Sequence, residues 1–198
     1  MLARRRRTRL PGIGTILAMR LRLVQPDDAE AIRAIYNREV VSGTNTFDLV
    51  ARSLEDQRSW IERHRGAHPA IVAVGPGEPP PRSAPGGAPG RTGPPEDVMG
   101  FAVVSAFRDR AAYATTVEDS VYVHGDHRGQ GVGRALLDEL LRLTAAHGFH
   151  AVIARISSEN EASLRLHRAC GFELVGTERE VGRKHGRWLD VVELQRML

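Results

Sequence analysis

One segment of the sequence has the residue types and spacing that bind an anion. Glycines alternate with other residues in Arg128-Gly129-Gln130-Gly131-Val132-Gly133, between a short β-type run and an amphipathic segment. Glycine lets backbone N–H groups approach a ligand closely, and the positive end of the following helix favours negative charge. The pattern predicts a strand, a glycine loop and a helix that together bind a phosphate.

Other phosphate-binding motifs fit this segment less well. The dinucleotide pattern Gly-x-Gly-x-x-Gly is not met, and no Walker lysine follows the glycines. Without its flanking strand and helix, the same run of glycines would more often be an ordinary loop before a helix. The prediction of a phosphate site therefore depends on the strand before the glycines and the helix after them.

Glu118 and His167 are the candidates for proton transfer. Glu118 begins the β-type run that enters the glycine loop, and His167 lies among apolar residues at helical spacing. Taken alone, a carboxylate at a strand end is usually solvated and a lone histidine on an apolar helix is usually a core residue. The single cysteine, Cys170, is interpreted as a small buried hydrophobe in a reducing compartment.

No metal site is predicted. His124 and His127 lie three residues apart, as do His147 and His150, but neither pair has a cysteine or carboxylate at a recognised zinc spacing.

The elements that position these residues follow from periodicity and turn signals. Strands are expected at 20–24, 70–74, 98–104, 118–123, 151–156, 173–180 and 188–194. Helices are expected at 27–41, 53–64 and 132–147, and in the segment that ends at Cys170 after a cap by Asn160 or Ser158. This order predicts one mixed α/β (α+β) domain, with a mostly antiparallel central sheet flanked by helices.

Composition separates this domain from two other segments. Residues 1–18, with the run Arg4 to Arg7, are expected to be a disordered basic leader, and 75–97 a disordered Pro/Gly-rich insertion between antiparallel neighbours. The domain itself would span 19–198. Without the four arginines the formal charge of +4 falls to zero, so the folded domain has no basic excess that would favour nucleic acid. The apolar patch at 12–18 is too short to span a membrane.

The chain resembles the GNAT superfamily of N-acetyltransferases. Arg128 to Gly133 fits that superfamily's Arg/Gln-x-x-Gly-x-Gly/Ala loop, and a later Asn160-Glu161-Ala162-Ser163 segment leads to Gly171-Phe172. More narrowly, the chain is similar to the phosphinothricin and methionine sulfoximine N-acetyltransferases over 19–198, apart from the insertion. The segments that carry this similarity are 35–37, 110–113, 116–123 and 181–191.

The resemblance implies acetyl-CoA as co-substrate, no metal, Glu118 as general base and His167 as its assistant. It also implies a main-chain oxyanion donor at Tyr122 or Val123, where strands of the family splay apart. The residues implied to contact acetyl-CoA are Val121, Tyr122, Val123, Arg128, Gly129, Gln130, Gly131, Val132, Gly133, Arg134, Asn160 and Ser163.

The resemblance further implies a pocket for a small amino acid with a charged second group. Its lining would be Phe47, Arg108, Arg110, Tyr113 and Tyr122. Val103 and Thr115 depart from the tyrosine and tryptophan that relatives often carry there, which predicts a wider or less polar pocket.

The expected function is direct acetyl transfer, in a ternary complex, to the primary amine of an amino acid such as phosphinothricin, methionine sulfoximine or methionine sulfone. Two alternatives stay open: a protein N-terminus or antibiotic amine as acceptor, and a nucleic-acid-associated module that uses Arg4 to Arg7. The main hypothesis predicts a cytoplasmic enzyme that binds neither nucleic acid nor membrane. A homodimer is consistent with the resemblance, but no pattern in the sequence demands one.

Overall fold

The computed structural model describes residues 19–75 and 97–198. The predicted leader lies outside these residues, as does the predicted insertion apart from its two end residues. The domain boundaries drawn from them therefore stay a prediction. No helix in the described residues is long and apolar enough to cross a membrane.

The strands and helices form in the predicted order. They are β1 (Arg20–Leu23), α1 (Ala29–Ser42), α2 (Leu54–Arg63), β2 (Ala70–Val74), β3 (Val98–Ala106), β4 (Thr116–Val123), α3 (Val132–Ala146), β5 (Ala151–Ser157), α4 (Glu161–Ala169), β6 (Glu173–Lys184) and β7 (Arg187–Met197).

Helix starts follow the capping residues in the sequence. At α2, Asp56 N–H donates to Ser53 Oγ over 3.1 Å while Ser53 N–H donates to Asp56 Oδ2 over 3.0 Å. At α4, the cap is Asn160, whose Oδ1 accepts from Ser163 N–H over 3.1 Å. Each bond satisfies an N–H group that the first helical turn leaves without a partner.

The described strands form one sheet in the order β1-β2-β3-β4-β5-β7-β6. All neighbours are antiparallel except β4 and β5, which are parallel because α3 carries the chain back to the starting edge between them. β2 and β3 are antiparallel neighbours, so the segment between them joins adjacent strands, as predicted.

Helices cover both faces of this sheet. Along β3, Ala102 and Val104 face a core that includes Leu136 and Leu140 of α3, while Phe101 and Val103 face the core beneath α1 and α2. The predicted mixed α/β class and single sheet are confirmed.

The hairpin of β6 and β7 is longer than the periodicity indicated. Pairing extends to Lys184 opposite Arg187. The Lys184 side chain is buried, and its Nζ donates to the carbonyls of Glu39 at 3.1 Å and Thr46 at 2.8 Å. The tip of the hairpin is thereby bonded to α1 and to the loop that follows it.

Candidate active site: the cleft between strands 4 and 5

β4 and β5 separate soon after they meet. They pair only where Thr116 to Glu118 lie beside Ala151 to Ile153. Beyond that point β4 stays paired with β3 as far as Val123, and β5 stays paired with β7 as far as Ser157. Each strand therefore presents one open edge to the space between them, as the family resemblance implied.

A cleft fills this space. Its walls come from both strands, from the start of α4 and from the loop after α1. The lining residues are Asn45, Asp119, Ser120, Val121, Tyr122, Ala154, Arg155, Ile156, Ser157, Asn160, Ser163 and His167.

Gly100 allows close packing behind the cleft. It lies opposite Val123 in the β3–β4 ladder, and a Cβ atom at this position would come within 2.7 Å of the Tyr122 carbonyl oxygen. No side chain fits at that distance without a shift of β4. Glycine at position 100 therefore fixes where the open edge of β4 lies.

The glycine loop follows the end of β4 and leads directly into α3. Gly129 and Gly131 have φ of 74° and 84°, a conformation that other residues rarely adopt. Gly131 is the N-cap of α3 and provides no side-chain cap. The N–H groups of the first turn are thus left for an anion at the positive end of the helix.

The side chains around the loop contact protein groups. Arg128 donates to Glu39 Oε1 over 2.5 Å and to the Val123 carbonyl over 3.3 Å. Gln130 donates to the Asp126 carbonyl over 2.8 Å.

At the start of α3, Val132 is buried in the core and the Arg134 guanidinium pairs with Asp138 over 2.6 Å. The structure thus leaves mainly main-chain groups for a phosphate at this loop, and the individual cofactor contacts stay a prediction.

Glu118 lies at the point where the strands diverge. It is not among the residues that line the cleft, and its side chain is half-buried and has no hydrogen-bond partner among the described residues. Burial raises the pKa of its carboxyl group, Arg155 opposes that shift, and Asp119, Glu193 and Glu178 add to it. A carboxylate with a raised pKa and no side-chain hydrogen bond is suited to accept a proton.

Asp119 and His167 form a buried pair in the cleft. Asp119 Oδ2 lies 3.0 Å from His167 Nε2, and the two side chains are 0% and 3% exposed. His167 Nδ1 lies 2.8 Å from the Ser163 carbonyl, which can only accept, so Nδ1 carries a proton. Burial alone would lower the pKa of His167, but the hydrogen bond and charge of Asp119 outweigh it and raise the pKa.

This geometry restricts the role predicted for His167. Both ring nitrogens are engaged, so neither is free to orient a water molecule. Glu118 and Asp119 are consecutive on β4 and therefore point to opposite faces of the sheet. The structure does not bring the two predicted catalytic residues together on one face.

The five predicted substrate residues lie in separate places. Only Tyr122 lines the cleft, where its ring packs against Tyr36 and Phe101 and burial raises the pKa of its hydroxyl group. Phe47 instead packs against Gly182 of β6.

Arg108, Arg110 and Tyr113 belong to the connection between β3 and β4. Arg108 stacks on Tyr113, and Arg110 is exposed. Of the two departures from the family pattern, Val103 is buried in the core beneath α1 and α2, and Thr115 is exposed beside the start of β4.

Sequence reasoning assigned no role to four residues of this region, which are Asp119, Ser157, Asn45 and Glu39. Asp119 and Ser157 line the cleft and are buried. Asn45 also lines the cleft and donates to Glu39 Oε2 over 2.6 Å. Period-two alternation beside Glu118 could have placed Asp119 on the α4 face, but no local signal links Glu39 to Arg128, 89 residues further on.

Comparison with known proteins identifies the family. Residues 86–172 match the model of the acetyltransferase (GNAT) family. The chain is 37% identical to a phosphinothricin N-acetyltransferase of Alcaligenes faecalis over 91% of this chain and 83% of that one. It is 36% identical to an L-methionine sulfoximine/L-methionine sulfone acetyltransferase of Pseudomonas paraeruginosa over 85% and 88%.

A solved structure agrees with these matches. The fold is similar to that of a phosphinothricin acetyltransferase from Sinorhizobium meliloti in complex with acetyl-CoA, with a TM-score of 0.78, 37% identity and coverage of 92% of this chain and 89% of that one. The chain belongs to the GNAT family of acetyltransferases. It is an acetyl-CoA-dependent N-acetyltransferase, and the open strand edges and uncapped α3 start fit the amide-containing arm and the diphosphate of that donor.

Proposed function

We propose that this enzyme acetylates the primary amine of a small amino acid of the phosphinothricin, methionine sulfoximine or methionine sulfone type. Relatives that act on such compounds align over most of the chain. The observation that carries the proposal is the cleft opened by β4 and β5, with Glu118 and its raised pKa on the last pair before the two strands separate.

Glu118 takes the proton that the amine must lose to become a nucleophile. Its carboxylate is half-buried and unpartnered, so no existing hydrogen bond has to break first. The main-chain N–H of Val123 donates to the oxygen that gains negative charge, because the N–H groups of its neighbours Tyr122 and His124 face β3 and that of Val123 faces the open edge of β4. Acetyl-CoA, when bound, would supply the acetyl thioester: its C–S bond breaks as the C–N bond forms, and the departing thiolate takes up the proton that the nitrogen gives off when it becomes an amide.

Transfer is direct, without a covalent enzyme intermediate on cysteine. Cys170 is 3% exposed, and burial raises the pKa of its thiol to about 11. A thiol that stays protonated at neutral pH is a poor nucleophile, and this one does not line the cleft.

The substrate assignment is tested by release of the CoA thiol and by mass spectrometry of the amine product. L-methionine sulfone, L-methionine sulfoximine and phosphinothricin should be acetylated with kcat/KM roughly 10- to 100-fold above those of simple alkylamines and a peptide N-terminus. Equal or faster acetylation of the peptide would contradict the proposal. Glu118→Gln, assayed in parallel, separates enzymatic acetylation from background chemistry.

A further inference from the structure

Glu39, near the end of α1, contacts three other parts of the chain. Its Oε1 accepts from Arg128 over 2.5 Å, its Oε2 accepts from Asn45 over 2.6 Å, and its main-chain carbonyl accepts from Lys184 over 3.1 Å. The residue is 7% exposed. Proton transfer by Glu118 does not involve this buried carboxylate, so its contacts need another explanation.

The Glu39 carboxylate is held in one place. Each of its oxygens accepts a hydrogen bond, one from Arg128 and one from Asn45. Gly43 leaves room for it, because a Cβ atom at that position would come within 2.5 Å of Glu39 Oε2. The Gly43 N–H also donates to the Glu39 carbonyl over 3.1 Å. A side chain that is buried and bonded in this way needs no reorganisation to bind Arg128.

Arg128 is the first residue of the glycine loop, and Glu39 already neutralises its charge. The Arg128 side chain is 55% exposed, and its Nε donates to the Val123 carbonyl over 3.3 Å. A guanidinium can bind a phosphate through two parallel hydrogen bonds, but here Nη2 is bonded to Glu39. The carboxylate and a phosphate therefore compete for the same cation. While Glu39 holds it, the loop offers a diphosphate chiefly the main-chain N–H groups at the start of α3.

This competition acts equally on the donor and on the product. Acetyl-CoA and CoA carry the same diphosphate, so an additional contact to it would strengthen the binding of both. Binding energy that is the same before and after the reaction does not speed the chemical step. It would slow the release of CoA, which has to leave before the next turnover.

We propose that Glu39 is a positioning residue that withholds Arg128 from the diphosphate of acetyl-CoA and of CoA, and thereby limits inhibition by the product. Glu39 acts through Arg128 and contacts no reacting atom. The role takes acetyl-CoA as the donor and does not depend on which amine accepts the acetyl group.

The test measures binding by calorimetry, without any amine, for acetyl-CoA, for CoA and for S-acetylpantetheine, which carries no phosphate. Glu39→Gln keeps the shape of the side chain and an acceptor for Asn45 but loses the charge that holds Arg128. We expect Kd for acetyl-CoA and for CoA to fall roughly 3- to 10-fold, with no change for S-acetylpantetheine. The matched control Glu30→Gln, which removes an exposed carboxylate paired with Arg33 on the same helix, should change no Kd.

Two further readouts separate this role from a structural one. The gain in affinity comes from an exposed guanidinium and a phosphate, so it should shrink as ionic strength rises from about 0.05 M to about 0.5 M. The inhibition constant of CoA in steady-state assays should fall by the same factor as its Kd. In the double variant Glu39→Gln with Arg128→Gln, Kd for acetyl-CoA should return to the wild-type value or rise above it.

A Kd for acetyl-CoA that is unchanged or higher in folded Glu39→Gln would overturn the proposal, and so would a gain that persists in the double variant. If Glu39→Gln does not fold, Glu39→Asp provides the same test. It keeps the charge but draws the carboxylate back from Arg128 by about 1.5 Å, and Kd should fall about 2- to 5-fold. An enzyme that shows these Kd changes but acetylates none of the proposed amino acids would refute the substrate assignment and leave the role of Glu39 standing.

Discussion

Glu118 and Asp119 are neighbouring carboxylates on one strand, yet the two faces of β4 give them different chemistry. Asp119 is fully buried and bonded to His167, which is itself anchored on α4. Glu118 is half-buried, has no hydrogen-bond partner among the described residues, and has a pKa raised mainly by burial. A carboxylate held in a charge pair positions its partner, whereas one that is desolvated and unpaired can take up a proton.

Glu118→Gln should have the largest effect on activity. The amide has nearly the same shape but cannot accept the proton of the amine, so kcat should fall roughly 10²- to 10⁴-fold. Steady-state kinetics with methionine sulfone would measure it.

Although its activity falls, the Glu118→Gln variant should be as stable as the wild type at neutral pH or more stable. Burial raises the pKa of Glu118, so the folded state binds a proton more tightly than the unfolded chain does, and stability falls as pH rises from about 4.5 through the raised value. Gln removes this loss, so the thermal midpoint at neutral pH should stay equal or rise. A large drop in the midpoint would mean that Glu118 has a structural role.

Asp119→Ala should have the largest effect on stability. It leaves His167 buried without its charge partner, and we expect a loss of about 3–5 kcal/mol in the free energy of unfolding by urea titration. Asp119→Asn should lose less, because it keeps a hydrogen bond to neutral imidazole.

The same pair has a signed pH dependence. The pKa of His167 is raised in the folded state, so its stabilising contribution is present at low pH and is lost as pH rises through that value. The difference in stability between wild type and Asp119→Asn should therefore shrink above neutral pH. A difference in stability that is constant with pH would show that folding does not favour protonation of His167.

Gly100→Ala should displace β4 and so disturb both Glu118 and Asp119, which lie on its two faces. The added methyl group would lie 2.7 Å from the Tyr122 carbonyl oxygen, which forces β4 to shift. A cost of about 1–3 kcal/mol and a reduced kcat are expected. Gly66→Ala, where a Cβ meets nothing within 4 Å, is the matched control, and equal behaviour of the two variants would refute the close-packing role.

Replacement of residues 76–96 by a short turn should have the smallest effect. Gly75 N–H donates to the Asp97 carbonyl over 2.8 Å, and β2 and β3 are adjacent in the sheet, so the ends already meet. Because loop-closure entropy changes slowly with length, we expect activity and thermal midpoint close to wild type. A large loss of turnover would assign these residues a part in the site.

The sequence predicted the strands, loop and helix around the site better than the cleft and the side-chain contacts within it. Periodicity, caps and glycines marked β4, the loop and α3 because these are local signals. The cleft itself depends on where the β4–β5 pairing stops, which no local pattern records. The bond of Arg128 to Glu39 and that of Lys184 to the Thr46 carbonyl join residues 89 and 138 positions apart, so only the folded chain shows them.

The ratio of kcat/KM for wild type to that for Glu118→Gln, measured across pH, tests the central claim most directly. Titration of the amine substrate affects both enzymes and cancels in this ratio. The account predicts a ratio that rises with pH through a pKa above the ordinary value of 4.5 and then levels off at roughly 10²–10⁴. A ratio near one at every pH would show that Glu118 is not the base.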